Sequence, residues 1–259
     1  MEVRGLAGQA LLDVWERGLA LHPVDRALAI LAAACPDASW PALAALSIGR
    51  RDALLFRTRA RTFGPGLAAR AACPVCEEQL ELRLETADLG LPLEGAGGDD
   101  ADDEPAGGPA SHLAQLDELE ARFRLPDSRD LAAAAAAADP EAARALLLQR
   151  CVLAVSDRRD GTVRSIEALS PAGVEALAAR MAEADPHAEV ALAVTCPRCA
   201  HRWRVDLDIG SYFWTEIVAE ARRLLREVDA LARVYGWREL DILAMSATRR
   251  QAYLELAAG

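Results

Sequence analysis

The sequence predicts an α+β protein that is mainly helical and contains a split zinc ribbon with a large helical insertion. Alanine and leucine dominate an apolar fraction of 52%, and only 5% of the residues are aromatic, a composition that favours helices. Two Cys-x-x-Cys motifs, Cys73/Cys76 and Cys196/Cys199, are each followed by alternating apolar and polar residues. A period of two is typical of a half-buried strand, so each motif is expected to be a zinc knuckle followed by a β-strand.

The length and charge of the chain exclude several classes of protein. Its 259 residues suit one large domain or two small ones, and the apolar fraction excludes disorder along the whole chain. The net charge is −11, the pI is near 4.9 and the chain has no lysine, so arginine carries every basic charge. An acidic chain of this kind makes nucleic acid an improbable partner.

The N-terminal region, residues 1–70, is predicted to be helical. Apolar residues between positions 6 and 34 recur at steps of three and four, with a break at His22-Pro23, which predicts two amphipathic helices. A further helix, capped by Ser47 or Asp52, is expected to end at Gly64-Pro65-Gly66.

Residues 71–93 are predicted to form the first zinc knuckle and its strand, and residues 94–118 a flexible acidic loop. Leu80, Leu82 and Leu84 alternate with charged residues in the strand. From Glu94 to Glu120 the chain has nine acidic residues and no arginine. Weak calcium binding by this loop is an alternative to a solvated linker, but the acidic spacing does not match an EF-hand.

Residues 119–190 are predicted to be a helical insertion, residues 191–210 the second knuckle and strand, and residues 211–259 the C-terminal helices. The insertion begins with a short strand at residues 122–125, and Ser128 or Asp130 is the expected cap of the helix that follows. A long C-terminal helix is expected to end at Gly236, before a shorter one at residues 248–256.

The four paired cysteines are the candidate metal ligands. Cys73, Cys76, Cys196 and Cys199 can supply four thiolates, which favours one structural Zn²⁺ per chain. Zinc ribbons usually separate the pairs by roughly 15 to 20 residues, whereas 119 residues intervene here. A redox dithiol and metal-free pairs are the alternatives, and the redox reading is disfavoured because strands rather than helices follow both motifs.

No catalytic residues are predicted, and the chain is therefore expected not to be an enzyme. It has no Gly-rich phosphate loop, no Gly-x-Ser-x-Gly motif and no His-Glu-x-x-His motif, and a four-thiolate site leaves no open metal position. No small-molecule substrate is expected. His201 is expected to be an exposed strand residue rather than a ligand, and Cys35 and Cys151 are expected to be buried.

Two groups of residues are candidates for binding a partner. Arg50 and Arg51 lie on an arginine-rich helix that can contact an acidic protein, with an exposed helix face as the alternative. Aromatic residues concentrate near the second strand, where they form either a core or an interface; they are Trp203, Tyr212, Phe213 and Trp214.

No membrane span is predicted, because no apolar stretch approaches the 18 to 20 residues that a span requires. The N-terminus is amphipathic and contains acidic residues, unlike a signal peptide. The chain is therefore expected to be cytoplasmic when it is synthesised.

Several motifs together resemble a known family. LSIGRRDALLF, the first Cys-Pro-x-Cys knuckle, FRLPDSRDL, the second knuckle and the SYFW junction with the long helix occur in this order. The chain is similar to the baseplate proteins of T-even-like phages and of bacterial contractile injection systems. The resemblance covers most of the chain from about Leu46, excluding the acidic loop.

The resemblance implies a non-enzymatic structural component in the hub region of the baseplate of a contractile, phage-tail-like particle. Its partners are then other baseplate or hub proteins, and the chain is incorporated into the particle after synthesis. A transient assembly chaperone for the hub remains an alternative, and a zinc-ribbon nucleic-acid-binding protein is a second one.

Overall fold

The computed structural model describes residues 1–89 and 111–258 of the chain. These residues form a mixed α/β structure that is about 54% helical, in agreement with the predicted helix-rich class. The chain divides into two compact units. The helical unit comprises Met1–Ser39, Leu55–Pro65 and Asp208–Gly259, and the mixed unit comprises Trp40–Leu54 and Gly66–Leu207.

The helices and strands follow one another along the chain without long interruptions in the described ranges. The helices are α1 Gly8–Gly18, α2 Pro23–Ala34, α3 Trp40–Ala44, α4 Ile48–Phe63, α5 Ser128–Ala135, α6 Pro140–Cys151, α7 Pro171–Ala184, α8 Ile209–Tyr235, α9 Glu239–Leu243 and α10 Ala247–Ala258. The strands are β1 Gly66–Ala72, β2 Gln79–Glu85, β3 His112–Leu116, β4 Leu119–Phe123, β5 Val152–Asp157, β6 Val163–Arg164, β7 Ala191–Thr195 and β8 Arg202–Asp206. Short 3-10 helices occupy Thr86–Leu89 and Ile166–Ala168.

The helical unit is built around α8, whose apolar residues recur at helical spacing. Phe213, Ile217 and Leu224 are fully or almost fully buried, and α1 and α2 pack against this face. Gly18 lets α1 approach closely, because a Cβ at this position would lie 2.3 Å from the Trp214 ring. The helix ends as predicted at Gly236, whose φ of +67° favours glycine.

The mixed unit contains an antiparallel four-stranded sheet in the order β3-β4-β5-β6. One face of this sheet is buried together with residues of the α7 region. The core consists of Ala114, Leu116, Ala121, Phe123, Val155, Leu169 and Leu177. The sheet thus supplies an apolar layer on which α7 packs.

Two parts of this sheet differ from the sequence predictions. The predicted acidic loop, residues 94–118, lies outside the described residues up to position 110, but His112–Leu116 form β3, because Ala114 and Leu116 alternate inward. The predicted helical insertion, residues 119–190, contains three helices and the predicted short strand, which is β4 at Leu119–Phe123 rather than at residues 122–125. It also contains two strands that were not predicted, β5 and β6. The apolar run before and after Cys151 holds both the end of α6 and the start of β5, and periodicity alone cannot separate a buried strand from a helix there.

Two β-hairpins complete the mixed unit. β1 pairs with β2 and β7 pairs with β8, both antiparallel. Each predicted strand after a knuckle is therefore present, and each is joined by a strand that precedes the knuckle. β1 begins at Gly66, so the helical N-terminal region ends a few residues before the predicted position 70.

Among the described residues, no helix has both the length and the apolar character needed to cross a membrane.

Candidate metal centre and partner surface

The two Cys-x-x-Cys motifs form the turns of the two β-hairpins. In the first turn, the Cys73 amide donates to the Glu78 carbonyl over 2.9 Å, and the Glu77 amide donates to the Cys73 carbonyl over 2.9 Å. These bonds fold the turn back on itself, so that both cysteines of the motif point to one side.

The second turn repeats this hydrogen-bond pattern. The Cys196 amide donates to the His201 carbonyl over 2.9 Å, and the Ala200 amide donates to the Cys196 carbonyl over 3.0 Å. Ala200 has a φ of +58°, and Glu77, the equivalent residue of the first turn, has a φ of +60°. The left-handed region is costly for residues other than glycine, so both turns hold a strained conformation at the same place.

The four thiol groups converge on one point. The Sγ atoms of Cys73 and Cys199 are 3.6 Å apart, and those of Cys76 and Cys196 are 3.5 Å apart. All four ligand atoms lie within 4.8 Å of one another. Bond lengths of about 2.3 Å from zinc to tetrahedral thiolates place the sulfurs about 3.8 Å apart, so the observed spacing fits such an ion.

The close sulfur pairs join different hairpins. A disulfide would bring its sulfurs to about 2.05 Å, so these contacts are between separate thiols. Cys73 and Cys196 are buried, Cys76 is half-buried and Cys199 is exposed. An ion at this point would bind four sulfurs and connect two segments that lie 119 residues apart in the sequence.

Neighbouring groups shift the pKa values of Cys73 and Cys76 in opposite directions. Burial raises the pKa of the Cys73 thiol, but hydrogen bonds from the backbone amides of Val75 and Cys76 and from neighbouring thiols lower it to about 7. The backbone N–H of Glu78 lowers the pKa of Cys76, but burial and the neighbouring thiols raise it to about 12. A divalent cation would supply the positive charge that four adjacent thiolates require.

No other side chain in the described part of the chain joins this cluster. His201 is half-buried, and its ring stacks near Trp203 at a centroid distance of 6.0 Å. At the rim, Arg198 and Glu78 form an ion pair of 3.5 Å between the two knuckles. With four sulfur ligands, the centre has the composition of a closed structural site and offers no position for a substrate.

The remaining cysteines are buried away from this centre. Burial raises the pKa of the Cys35 thiol in the helical unit. Burial and the nearby Asp130 carboxylate raise the pKa of Cys151 to about 11. Both thiols are therefore protonated near neutral pH and behave as small apolar groups, in agreement with the prediction.

The predicted partner residues have unequal exposure. Arg50 is exposed, whereas Arg51 is buried and pairs with Asp52 over 2.7 Å, which removes Arg51 from the exposed face of α4. Phe213 is fully buried in the helical unit and contacts Phe63 edge to face at 5.9 Å. Its packing is that of a core residue.

The other three predicted aromatic residues are half-buried. Trp214 packs against Gly18 and lies under the Arg26 guanidinium at 4.9 Å, and Tyr212 lies under Arg59 at 5.7 Å. Trp203 lies on β8 in the mixed unit, beside His201. Each therefore keeps part of its surface for further contacts.

Sequence reasoning missed an ionic cluster in the mixed unit, which we call the arginine–aspartate junction; it consists of Arg124, Asp127, Asp130 and Arg150. The fully buried Asp130 accepts from Arg124 at 2.5 and 2.9 Å, and from Arg150 Nε at 2.7 Å. The backbone amide of Asp127 donates to Asp130 over 3.0 Å. These bonds outweigh the effect of burial and hold the pKa of Asp130 well below its usual range.

Asp127, rather than Ser128 or Asp130, is the N-cap of α5. Its side chain accepts from the amides of Arg129 and Asp130, and Asp130 completes a capping box. The sequence signal was the spacing of two acidic residues three positions apart ahead of an apolar run. The two arginines that bind Asp130 come from outside this local pattern.

Two motifs that are far apart in the sequence, LSIGRRDALLF and FRLPDSRDL, meet beside the arginine–aspartate junction. Ser47 forms a β-bridge with Asp127, and the Ile48 amide donates to the Pro126 carbonyl over 3.2 Å. The next amide, that of Gly49, donates to buried Asp185 over 2.8 Å, and a Cβ on Gly49 would lie 2.1 Å from Asp185 Oδ1. Glycine at this position therefore permits the start of α4 to dock against the end of α7.

One comparison with known proteins, that with family models, agrees with the sequence resemblance. A family model described as T4 bacteriophage base plate protein matches residues 24–214, which include both knuckles and the arginine–aspartate junction. The search of curated proteins and the search of solved structures each gave no match. Because the match covers most of the chain, the resemblance is confirmed: the chain belongs to the T4 bacteriophage base plate protein family.

Proposed function

We propose that the protein is a structural subunit of the baseplate hub of a contractile, phage-tail-like injection system, and that one structural Zn²⁺ stabilises it. Membership of the family supports a structural role in a phage baseplate. The observation that carries the finer proposal is the convergence of Cys73, Cys76, Cys196 and Cys199 on one point.

The energetics of the hairpins explain what zinc would contribute. An isolated two-stranded hairpin is marginally stable in water, and each of these hairpins forms its own two-stranded sheet. Zinc bound to both turns would connect the hairpins and make the folding free energy of the mixed unit depend on the metal. A subunit held together in this way can present fixed surfaces to neighbouring proteins.

The chemistry of the described residues supports a structural role over a catalytic one. A four-thiolate centre has no open position for water. Partners are then other baseplate or hub proteins, reached through Arg50 and through the half-buried Trp203, Tyr212 and Trp214. In this proposal the chain is made in the cytoplasm and is then incorporated into the particle.

Quantitative mass spectrometry of purified particles tests this proposal. The tagged protein is followed in parallel in the particle fraction and in the soluble pool of the producing cells. A fixed ratio to other baseplate proteins in the particle is the expected result. Its presence only in the soluble pool, bound to hub proteins, would identify an assembly chaperone instead, and association with neither would contradict a role in the baseplate.

A further inference from the structure

A cavity of about 650 Å³ opens in the mixed unit beside the arginine–aspartate junction. Four arginines line it: Arg50 from the first turn of α4, Arg124 after β4, Arg129 from the first turn of α5, and Arg150 near the end of α6. We call this the arginine cavity.

Its charge balance favours an anionic ligand. Arg124 and Arg150 both form ion pairs with Asp130, and Arg129 forms an ion pair with Asp127. Within the described residues, the guanidinium of Arg50 has no ion-pair or hydrogen-bond partner, although its backbone amide donates to Ser47. Four guanidinium groups thus face two carboxylates, which leaves a surplus of two positive charges.

Several guanidinium donors remain available. Arg150 uses only Nε to reach Asp130, so its two terminal nitrogens have no partner among the described residues. The side chains of Arg50 and Arg150 are accessible, the latter with 40% of its surface exposed. Guanidinium groups bind carboxylates through paired hydrogen bonds, which makes them suited to this anion.

The other lining residues distinguish between kinds of anion. Ala42, Ala45, Leu46 and Leu125 provide apolar walls, which suit the methylene groups of an acidic side chain. The Asp127 carboxylate also lines the cavity and repels a doubly charged phosphate more strongly than a single carboxylate. The lining contains no Phe, Tyr or Trp, and its His112 ring already stacks on Phe123 at a centroid distance of 5.3 Å, so the cavity is poorly suited to stacking nucleic-acid bases.

We propose that the arginine cavity binds carboxylate side chains from an acidic peptide segment of a partner protein. Arg50 and the terminal nitrogens of Arg150 are the groups that contact the ligand, while Asp130 holds Arg124 and Arg150 in place. This inference deepens the proposed function and rests on it for the identity of the partner as a baseplate protein. The binding site itself is tested without the particle.

Fluorescence anisotropy of the full-length protein with a fluorescein-labelled hexaglutamate peptide, at low ionic strength, measures this binding. Hexaglutamine carries the same label as a neutral control. Arg50→Glu reverses the charge of the unpaired arginine, and Arg50→Ala removes it. Arg144→Glu makes the same charge change at an exposed position on α6 that does not line the cavity.

The expected result is binding of hexaglutamate but not hexaglutamine. Arg50→Glu and Arg50→Ala should weaken it about tenfold or more, in line with the strength of hydrogen bonds to charged groups. Arg144→Glu should weaken it less than either Arg50 variant, because Arg144 does not line the cavity. Thermal melting of each variant verifies that the fold is kept.

Three results would overturn the inference: no binding of hexaglutamate, equal loss in the Arg50 and Arg144 variants, or preference for inorganic phosphate or labelled oligothymidylate over the peptide. The two proposals fail in distinguishable ways. Peptide binding that depends on Arg50, together with absence from particles, would contradict the baseplate role alone. Retention in particles without peptide binding would contradict only the proposal that the arginine cavity binds an acidic peptide.

Discussion

The carboxylate of Asp130 accepts hydrogen bonds from Arg124, Arg150 and the Asp127 amide while its side chain is fully buried. A buried charge is tolerated only when its partners are complete. Because its partners are spread over several elements, this one side chain positions the β4–α5 segment and the end of α6 together.

Asp130→Asn should destabilise the protein by about 3 kcal/mol, because it removes the fully buried carboxylate with which Arg124 and Arg150 both pair. Urea denaturation followed by tryptophan fluorescence at neutral pH measures the loss. Glu183→Gln is the matched control, since its ion pair with Arg180 is exposed and should contribute less than about 1 kcal/mol. Equal losses in both variants would show that the junction does not stabilise the fold.

The same carboxylate predicts a dependence of stability on pH. The pKa of Asp130 is lower in the folded protein than in the unfolded chain, so on acidification the unfolded chain takes up a proton first. The stabilisation by ionised Asp130 is fully present above about pH 4, the usual pKa of an unfolded aspartate. It is lost as the pH falls toward the lowered pKa of Asp130 in the folded protein. The difference in unfolding free energy between wild type and Asp130→Asn should therefore shrink from pH 7 to pH 3. A constant difference over this range would show that the pKa of Asp130 is not lowered by folding.

At the scale of secondary-structure elements, the two knuckle turns have the same internal hydrogen-bond pattern. Each also has a residue with a left-handed backbone conformation at the same position of the turn. The sequence predicted the turns from cysteine spacing, but it gave no sign of the left-handed backbone, because neither Glu77 nor Ala200 is a glycine. In each turn the amide N–H of this residue donates a hydrogen bond to the carbonyl of the first cysteine of the motif.

Substitutions at Ala200 test the strain in the second turn. Ala200→Val should destabilise the protein by about 1 to 2 kcal/mol, because a β-branched side chain is disfavoured at positive φ. Ala200→Gly should cost less than about 0.5 kcal/mol, since glycine adopts this conformation freely. The two variants are compared by thermal melting with and without added zinc. A larger loss for glycine than for valine would rule out a left-handed residue at this position.

At the scale of the whole molecule, the candidate centre connects two distant parts of the chain. Zinc analysis of reduced, freshly purified protein should give about one Zn²⁺ per chain, and Cys73→Ser or Cys196→Ser should lower both the zinc content and the melting temperature. Cys35→Ala, which changes a buried thiol outside the cluster, should keep its zinc. Protein that contains no zinc would contradict the metal proposal.

Sequence reasoning succeeded where local pattern determines structure. The helical periodicity of α1, α2 and α8 and the spacing of the four cysteines are local signals, and each corresponds to an observed feature. It failed where structure depends on distant pairing. β5 is a strand because it pairs with both β4 and β6, and Arg150 reaches Asp130 from a helix twenty residues away in sequence. Neither contact leaves a periodic pattern.

The separation of the two knuckles also sets an order of events during synthesis. A ribosome adds roughly 5 to 20 residues per second, so the second cysteine pair follows the first after roughly 6 to 24 seconds. During that interval the nascent chain carries only two of the four sulfur ligands. Loading of the proposed ion is therefore a late step, completed only when translation has passed Cys199, and the first pair must stay reduced until then.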